Sequence, residues 1–516
     1  MERVGRSLVE RVGRVAVVVL IAASMAAAPA RSDPPAEAAG GTALDGETAT
    51  VALVAGYEHT CALSADGKVR CWGWNSNGQL GSGDTHDRGD GPAEMGGHLP
   101  VVDLGAGRTA TAIAAGTYHS CALLDNGAVK CWGANSRGQL GLGDSFSRGD
   151  EPGEMGDSLP AVSLGTGRTA TAVAAGRQHT CARLENGAVK CWGYNLYGQL
   201  GLGDSFNRGD EPGEMGDSLP AVSLGTGRTA TKVATGGDHS CARLDDATVK
   251  CWGANFYGQL GLGDPVDRGD EPGEMGDSLP AVSLGTGRTA TAVTVGALHT
   301  CARLDNGSVK CWGDNRLYAG QLGLGDTEDR GDGPGEMGDS LPAVSLGTGR
   351  TSAAISAGDY HTCAILDDLS LRCWGYNSFG TLGLGDNRAR GDEGGEMGDS
   401  LPAVDLGTGR SPGVVTGGYA HTCARLDDGT VKCWGSGSHG ELGSGDTANR
   451  GDQPGEMGDS LPVVLLQPTG VSGTVSETGS GSPVDGAWVA VLRTTDFSIA
   501  AGAIADPNGD YSTQVA

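Results

Sequence analysis

One feature constrains the fold more than any other: a unit of 60 residues recurs seven times between residues 51 and 466. The first cysteine of each copy falls at Cys61, Cys121, Cys181, Cys241, Cys301, Cys363 and Cys423, so the spacing stretches to 62 only once. That stretch comes from Asn315-Arg316-Leu317-Tyr318-Ala319-Gly320, which stands where the preceding copy has Asn255-Phe256-Tyr257-Gly258. Repeats this long stack or close into a ring, because a single unit cannot bury its own apolar face. Each copy offers four strand candidates, which in the third read T-A-V-A-A-G, H-T-C-A-R-L, V-K-C-W-G and L-P-A-V-S-L. No helical periodicity separates them. Four short strands per unit predict a propeller blade, and seven blades close without long exposed edges. The expected fold is all-β, a seven-bladed β-propeller over residues 50–467. Thr42-Ala43-Leu44 aligns with Val162-Ser163-Leu164 of a later copy, so residues 31–49 read as a linker or a ring-closing segment.

Composition supports many short strands and tight turns: 92 of the 516 residues are Gly, and only 5% are aromatic. The net charge of −27 opposes phosphate backbones and anionic lipid, which argues against nucleic-acid and membrane-surface roles. The N-terminus carries Arg3, Arg6, Arg11 and Arg14, then an apolar run over Val15 to Ala28, then the cleavage signal Ala28-Pro29-Ala30. Residues 1–30 therefore read as a signal peptide, with the mature chain beginning at Arg31. No cysteine precedes Cys61, so a lipid anchor is not expected, and no other apolar stretch is long enough to cross a bilayer. The expected destination is outside the cytoplasm: extracellular, cell surface or periplasm.

The 14 cysteines form seven pairs with nine residues between the members: Cys61/Cys71, Cys121/Cys131, Cys181/Cys191, Cys241/Cys251, Cys301/Cys311, Cys363/Cys373 and Cys423/Cys433. In the second copy, a three-residue turn with Gly127 left-handed pairs Leu124 with Ala128. Counting back sets Leu123 opposite Val129, Ala122 opposite Lys130 and Cys121 opposite Cys131. Alternation puts the cysteines at a non-hydrogen-bonded site, where cross-strand bridging is feasible. In an exported chain, seven in-blade disulfides are the favoured reading over buried thiols, and zinc suits the spacing poorly. Ala247 and Leu369 occupy the glycine slot of this turn, so their turns should be strained or differently shaped.

Copies within the chain can be compared with one another. A Trp recurs at 72, 132, 192, 252, 312, 374 and 434, and a His at 59, 119, 179, 239, 299, 361 and 421. The Trp reads as packing between blades, the His as a hydrogen-bonded structural residue rather than a metal ligand. Two slots vary. Just before the His stand Tyr57, Tyr118, Tyr360 and Tyr419, among others. After Trp-Gly stand Trp74, Arg137, Tyr194, Tyr197, Phe256, Tyr257, Tyr318, Tyr376 and Phe379. Nine of the ten Tyr fall in these two slots. One slot opens the first hairpin strand and the other closes the second, so both should lie at the hairpin's open end, on one face of the disk. A variable, Tyr-rich loop surface on a rigid scaffold is what a protein-binding face needs. The competing reading is that these rings fill gaps between blades.

Each copy also carries an acidic Gly-rich loop, exemplified by Asp144, Asp150, Glu151, Glu154 and Asp157. Oxygen ligands on such a loop suit Ca²⁺, but the spacing of a helix–loop–helix calcium site is absent and Arg148 can neutralise part of the cluster. A solvated acidic loop is the favoured reading, with no cofactor. Arg-Gly-Asp occurs in every copy, as in Arg148-Gly149-Asp150, and loop duplication accounts for it without adhesion.

The string G-x-x-H-T-C-A-L-x-x-x-G-x-V-x-C-W-G-x-N-x-x-G-Q-L-G-x-G-D resembles the regulator-of-chromosome-condensation repeat. The resemblance implies a seven-bladed propeller and leaves function open, since that family includes a nuclear nucleotide-exchange factor, a plant photoreceptor and secreted β-lactamase inhibitors. After the repeats, residues 469–516 resemble the start of a carboxypeptidase-regulatory-like β-sandwich, incomplete at Ala516, which implies a spacer or adhesive module. No nucleophile elbow, phosphate loop or H-E-x-x-H motif appears. The expected function is a monomeric, non-enzymatic scaffold that binds a protein or glycan partner. A calcium-stabilised surface protein and a polysaccharide-processing propeller are the alternatives.

Overall fold

The computed structural model describes residues 49–316, 320–467, 470–474, 488–492, 499–504 and 510–514. The expected signal peptide, the closing segment around residues 42–44, and Tyr318 lie outside the described residues. The larger of two compact units ends at Val464 and holds seven three-stranded antiparallel sheets. Each is a meander; the second consists of Ala110–Ala115, His119–Leu124 and Val129–Gly133. Seven such sheets form the seven blades of an all-β propeller.

Local chemistry sets each blade. The register pairs Leu123 with Val129, Ala122 with Lys130 and Cys121 with Cys131. Leu124 N–H donates to Ala128 O at 2.8 Å, and Gly127 turns the chain at φ +77°. The Cys121 and Cys131 Cα atoms are 4.1 Å apart, a close non-hydrogen-bonded pair.

Every expected cysteine pair is bridged within its own blade. The disulfides are Cys61–Cys71 in the first blade, Cys121–Cys131 in the second, Cys181–Cys191 in the third and Cys241–Cys251 in the fourth. Cys301–Cys311, Cys363–Cys373 and Cys423–Cys433 complete the set in blades five to seven. No free cysteine remains, so the buried-thiol alternative does not apply. In each case the two residues face each other directly, on the second and third strands of the meander.

A bulge at Thr111 shifts the inner strand's register, and its hydroxyl donates to Leu123 O at 3.2 Å. Bulges increase strand twist, which a propeller blade requires. Ala247 and Leu369 adopt the same turn as the glycines, each at φ +65°, so their turns are strained rather than reshaped.

The fourth expected strand is not a strand. Residues 159–164 run along the outer edge with Leu159, Val162 and Leu164 buried, but only Val162 N–H reaches the neighbouring strand, at Val129 O. Pro160 has no N–H to give, and Gly165 turns the chain at φ +113°. Exposed and buried residues alternate as in a strand only over residues 161–164, and the ladder is missing.

The core lies between blades. Cys121, Leu123, Val129 and Cys131 of the second blade pack with Ala182, Leu184 and Trp192 of the third. Every repeat Trp is fully buried, and Trp132 Nε1–H donates to Gln79 O of the preceding blade at 3.0 Å. Burying a ring of this size contributes about 5 kcal/mol by area, an upper figure because unfolded chains already hide some surface. Trp72 makes the same bond to Glu441 O at 2.9 Å, which joins first blade to last.

In the C-terminal segments, Gly470–Thr474 pairs antiparallel with Asp510–Gln514, and Trp488–Leu492 pairs with Ile499–Ile504.

Candidate functional site

The two variable slots meet in every blade. Trp74 N–H donates to Glu58 O at 2.8 Å, Tyr194 N–H to Gln178 O at 2.9 Å and Tyr376 N–H to Tyr360 O at 2.9 Å, all beyond the His–Gly pair that ends the hairpin ladder. The acidic loop returns to the same end, since Gly133 and Arg148 exchange both main-chain bonds, at 2.7 and 3.1 Å. Three loop segments per blade therefore share the open-hairpin face.

The aromatic side chains gather into separate arcs. Across blades six, seven, one and two, Tyr360 packs edge-on to Tyr419 at 5.7 Å, Tyr419 stacks on Tyr57 at 4.2 Å, and Tyr57 lies 5.9 Å from Tyr118. Trp74 meets Tyr118 at 5.2 Å and His439 at 5.7 Å. A second arc spans blades two to four: Arg137 sits 5.2 Å over the Tyr194 ring, Tyr194 meets Tyr197, and Tyr197 meets Phe256 at 5.3 Å. Tyr376 and Phe379 form a pair on blade six, and Tyr257 is half-buried on blade four. All these Tyr rings are half-buried. Each fills some space between loops and keeps part of its surface in solvent, so the gap-filling reading holds for part of every ring.

Exposed apolar surface concentrates over the second arc. Phe256 is 55% and Leu196 52% exposed. The acidic loops of the same three blades present Phe146 and Phe206, each 71% exposed, and Val266 at 54%. The same loop position holds His86, Glu328, Arg388 and Ala448 in the other blades. It is a third variable slot. The difference between copies carries that signal in the sequence, where the surrounding acidic residues mask it.

A central cavity of about 440 Å³ is lined by inner strands of all seven blades, with small residues such as Val54, Ala114, Ala174, Ala234 and Ser356 along its wall. Tyr57, Arg177, Asp238, Asp359 and Tyr360 line it at the slot that precedes each His. Arg177 approaches Asp238 at 3.8 Å. Enclosure by the walls pushes the Asp359 carboxyl up to about 6, with Arg177 opposing, although the group keeps some solvent access. Burial also raises Asp238 and Glu58, with Arg177 and His439 respectively pulling back.

The repeat histidines are structural. His119 Nε2 lies 2.8 Å from Thr180 Oγ1, and that hydroxyl donates to Gln139 O at 2.9 Å. A hydroxyl has one proton to donate, so Nε2–H must be the donor to Oγ1 and Nδ1 carries the lone pair. Nδ1 is buried without a partner in all seven rings. Gly116 lies against the ring, where a Cβ would come within 2.4 Å of Cε1. Burial lowers His119 to about 3 and His59 to about 4, so the rings are neutral near pH 7.

The acidic loops use their charges internally. Arg148 Nη2 meets Asp144 Oδ2 at 2.6 Å while Nη1 donates to Phe146 O and Ser147 O at 2.9 and 3.0 Å. Glu154 Oε2 accepts from Gly149 and Glu151 N–H at 2.8 and 3.1 Å. The Arg-Gly-Asp tripeptide is thus a loop brace, with the Arg148 side chain 19% exposed. Among the described residues no group of three or more His, Cys, Asp or Glu converges to hold a metal ion.

Comparisons with known proteins agree on the repeat. The model of the RCC1-like domain matches residues 27–394, and that of the regulator of chromosome condensation (RCC1) repeat matches residues 415–441. The ultraviolet-B receptor UVR8 of Arabidopsis thaliana is 30% identical over 446 residues, covering 85% of this chain and 87% of its own. The probable E3 ubiquitin-protein ligase HERC6 of Homo sapiens is 32% identical over 314 residues, 60% of this chain but only 26% of that protein. Among solved structures, Prp20p from Saccharomyces cerevisiae, described together with its binding properties to Gsp1p and histones, superposes with a TM-score of 0.53. It is 17% identical, over 91% of this chain and 92% of that one.

Proposed function

This chain belongs to the RCC1-like domain family, and from that premise we propose that it is an exported, non-catalytic scaffold that captures a protein partner on its open-hairpin face. The observation that carries the proposal is the uneven distribution of side chains. Residues constant from copy to copy build the blades, while the variable ones share one face, where aromatic rings stay partly in solvent. Rigid half-buried rings lose little entropy on binding, which suits them as anchors.

The centre of the face is assigned to blades two to four. There the same three blades that carry Arg137, Tyr194, Tyr197 and Phe256 also expose Leu196, Phe146, Phe206 and Val266, and exposed apolar surface of this kind marks interaction sites. Export is supported by the leader-like N-terminus and by seven disulfides, which persist in oxidising compartments. The family provides precedent in kind, in a receptor and in a protein described with its binding to Gsp1p and histones. HERC6's ligase activity is not transferred, since this chain spans 26% of it. The C-terminal strand pairs are read as a spacer. Affinity capture from the native surroundings, with the mature propeller as bait, tests the proposal. A partner held by the wild type and lost by Tyr194→Ala/Tyr197→Ala/Phe256→Ala at an unchanged melting temperature is the expected result.

A further inference from the structure

We propose that the mouth of the central cavity is a recognition site for a single cationic side chain, the ammonium or guanidinium of a Lys or Arg on a protruding loop of the bound partner. The inference rests on the binding-face reading and adds the chemistry of one anchor.

Four features converge there. The first is space: a cavity of about 440 Å³ bordered by small side chains and by the main chain of residues such as Gly56, Gly116, Gly176 and Gly236. The second is a pair of carboxylates, Asp238 and Asp359, in a lining whose formal charges balance. The charged groups lining the cavity are Asp238, Asp359, Arg177 and Lys232. Lys232 projects from within the inner strand Ala230–Thr235, whereas the other three belong to the loops that precede each His. Arg177 approaches Asp238 at 3.8 Å with most of its side chain in solvent, and its charge also acts on Asp359.

The third feature is the state of Asp359. Its main chain is fixed, N–H donating to Gly418 O at 3.0 Å and the carbonyl accepting from Ala297 N–H at 3.0 Å. Its carboxylate, by contrast, receives no hydrogen bond from the described residues, and only the charge of Arg177 offsets its enclosure. A carboxylate placed so is costly when ionised and regains free energy when a cation arrives. The fourth feature is the aromatic surround. Tyr360 follows Asp359 in the chain and also lines the mouth, as does Tyr57; Tyr419, next to Gly418, packs on both rings at 5.7 and 4.2 Å. Ring faces beside an enclosed carboxylate attract a cation and cover its aliphatic stem. Neutral and anionic side chains gain nothing from this arrangement.

The test uses two peptides, acetyl-Gly-Arg-Gly-amide and the same peptide with citrulline for arginine, titrated into the mature chain at neutral pH and physiological salt. Binding is followed by NMR of the tyrosine rings. The arginine peptide is expected to bind at least tenfold more tightly than its neutral counterpart and to shift Tyr57 and Tyr360. Asp359→Asn is expected to remove that preference while melting no lower than the wild type, since it relieves an enclosed charge. Glu185→Gln, on the turn-bearing opposite face, should leave the preference intact and so separates the site from the general attraction of a chain of charge −27. Equal binding of both peptides, or an arginine preference that survives Asp359→Asn, overturns the site. If the partner is lost from the Tyr194/Tyr197/Phe256 variant but held by Asp359→Asn, the face stands and the cation site falls.

Discussion

His421 Nε2 lies 2.9 Å from Thr60 Oγ1, and the two residues are 361 positions apart in the chain. The same His-to-hydroxyl bond links every other neighbouring pair of blades, as in His239 to Thr300 at 2.9 Å. The ring therefore closes through the bond that builds it. Thr60→Val strips the acceptor from a buried Nε2–H and should cost about 1–3 kcal/mol. Thr300→Val, in mid-ring, should cost the same within about 0.5 kcal/mol. Denaturant unfolding of the two variants measures both; a much smaller loss at Thr60 would mean that the first and last blades do not meet through this bond.

Stability should fall in mild acid. An exposed His titrates near 6.5, whereas the buried rings resist protonation down to about 3 for His119 and about 4 for His361. Between those values the unfolded chain binds more protons, so stability rises with pH across the window and is lost as pH falls from 6.5 toward 4. Each ring contributes a slope of up to about 1.4 kcal/mol per pH unit. Calorimetry should find the seven rings taking up about two protons on unfolding at pH 7, rising to about six or seven at pH 5. Pairing each ring with a carboxylate would have reversed that sign.

The strained turn at Leu369 offers a stabilising change. The residue is 57% exposed at φ +65°, where five of the six other copies have glycine. Leu369→Gly should raise stability by about 0.5–1 kcal/mol, relief of strain outweighing the entropy of glycine. A loss in the same unfolding assay would contradict the left-handed turn.

Cross-strand bridging should be worth a definite amount. Each disulfide closes a short loop, Cys181 to Cys191 for example, with a sequence separation of 10. Removing it as Cys181→Ala/Cys191→Ala should cost about 3 kcal/mol if loop entropy governs. Thermal melts of oxidised wild type and variant provide the comparison.

Legibility in the sequence followed the physics of repetition. The strand register from Cys121 to Ala128 was readable because cysteine spacing and one turn glycine fix it locally. The outer edge alternates like a strand only over residues 161–164, and Pro160 and Gly165 deny it a ladder. The stacking of Tyr57 on Tyr419 could not be read at all, because it depends on ring closure across 362 residues, and no local pattern encodes that distance. Phe146 and Phe206 hid inside loops whose charges suggest calcium, although Arg148 and Asp144 in fact satisfy each other.

The most direct test of the binding face is the dissociation constant for the captured partner, measured on three proteins of equal melting temperature. The wild type is compared with Tyr194→Ala/Phe256→Ala on the open-hairpin face and with Asp125→Ala/Asn126→Ala on the opposite turns. If blades two to four form the centre of the interface, the first variant should bind about 100-fold more weakly and the second should match the wild type. Unchanged affinity in the first, or a loss confined to the second, would place the partner elsewhere and contradict the proposal.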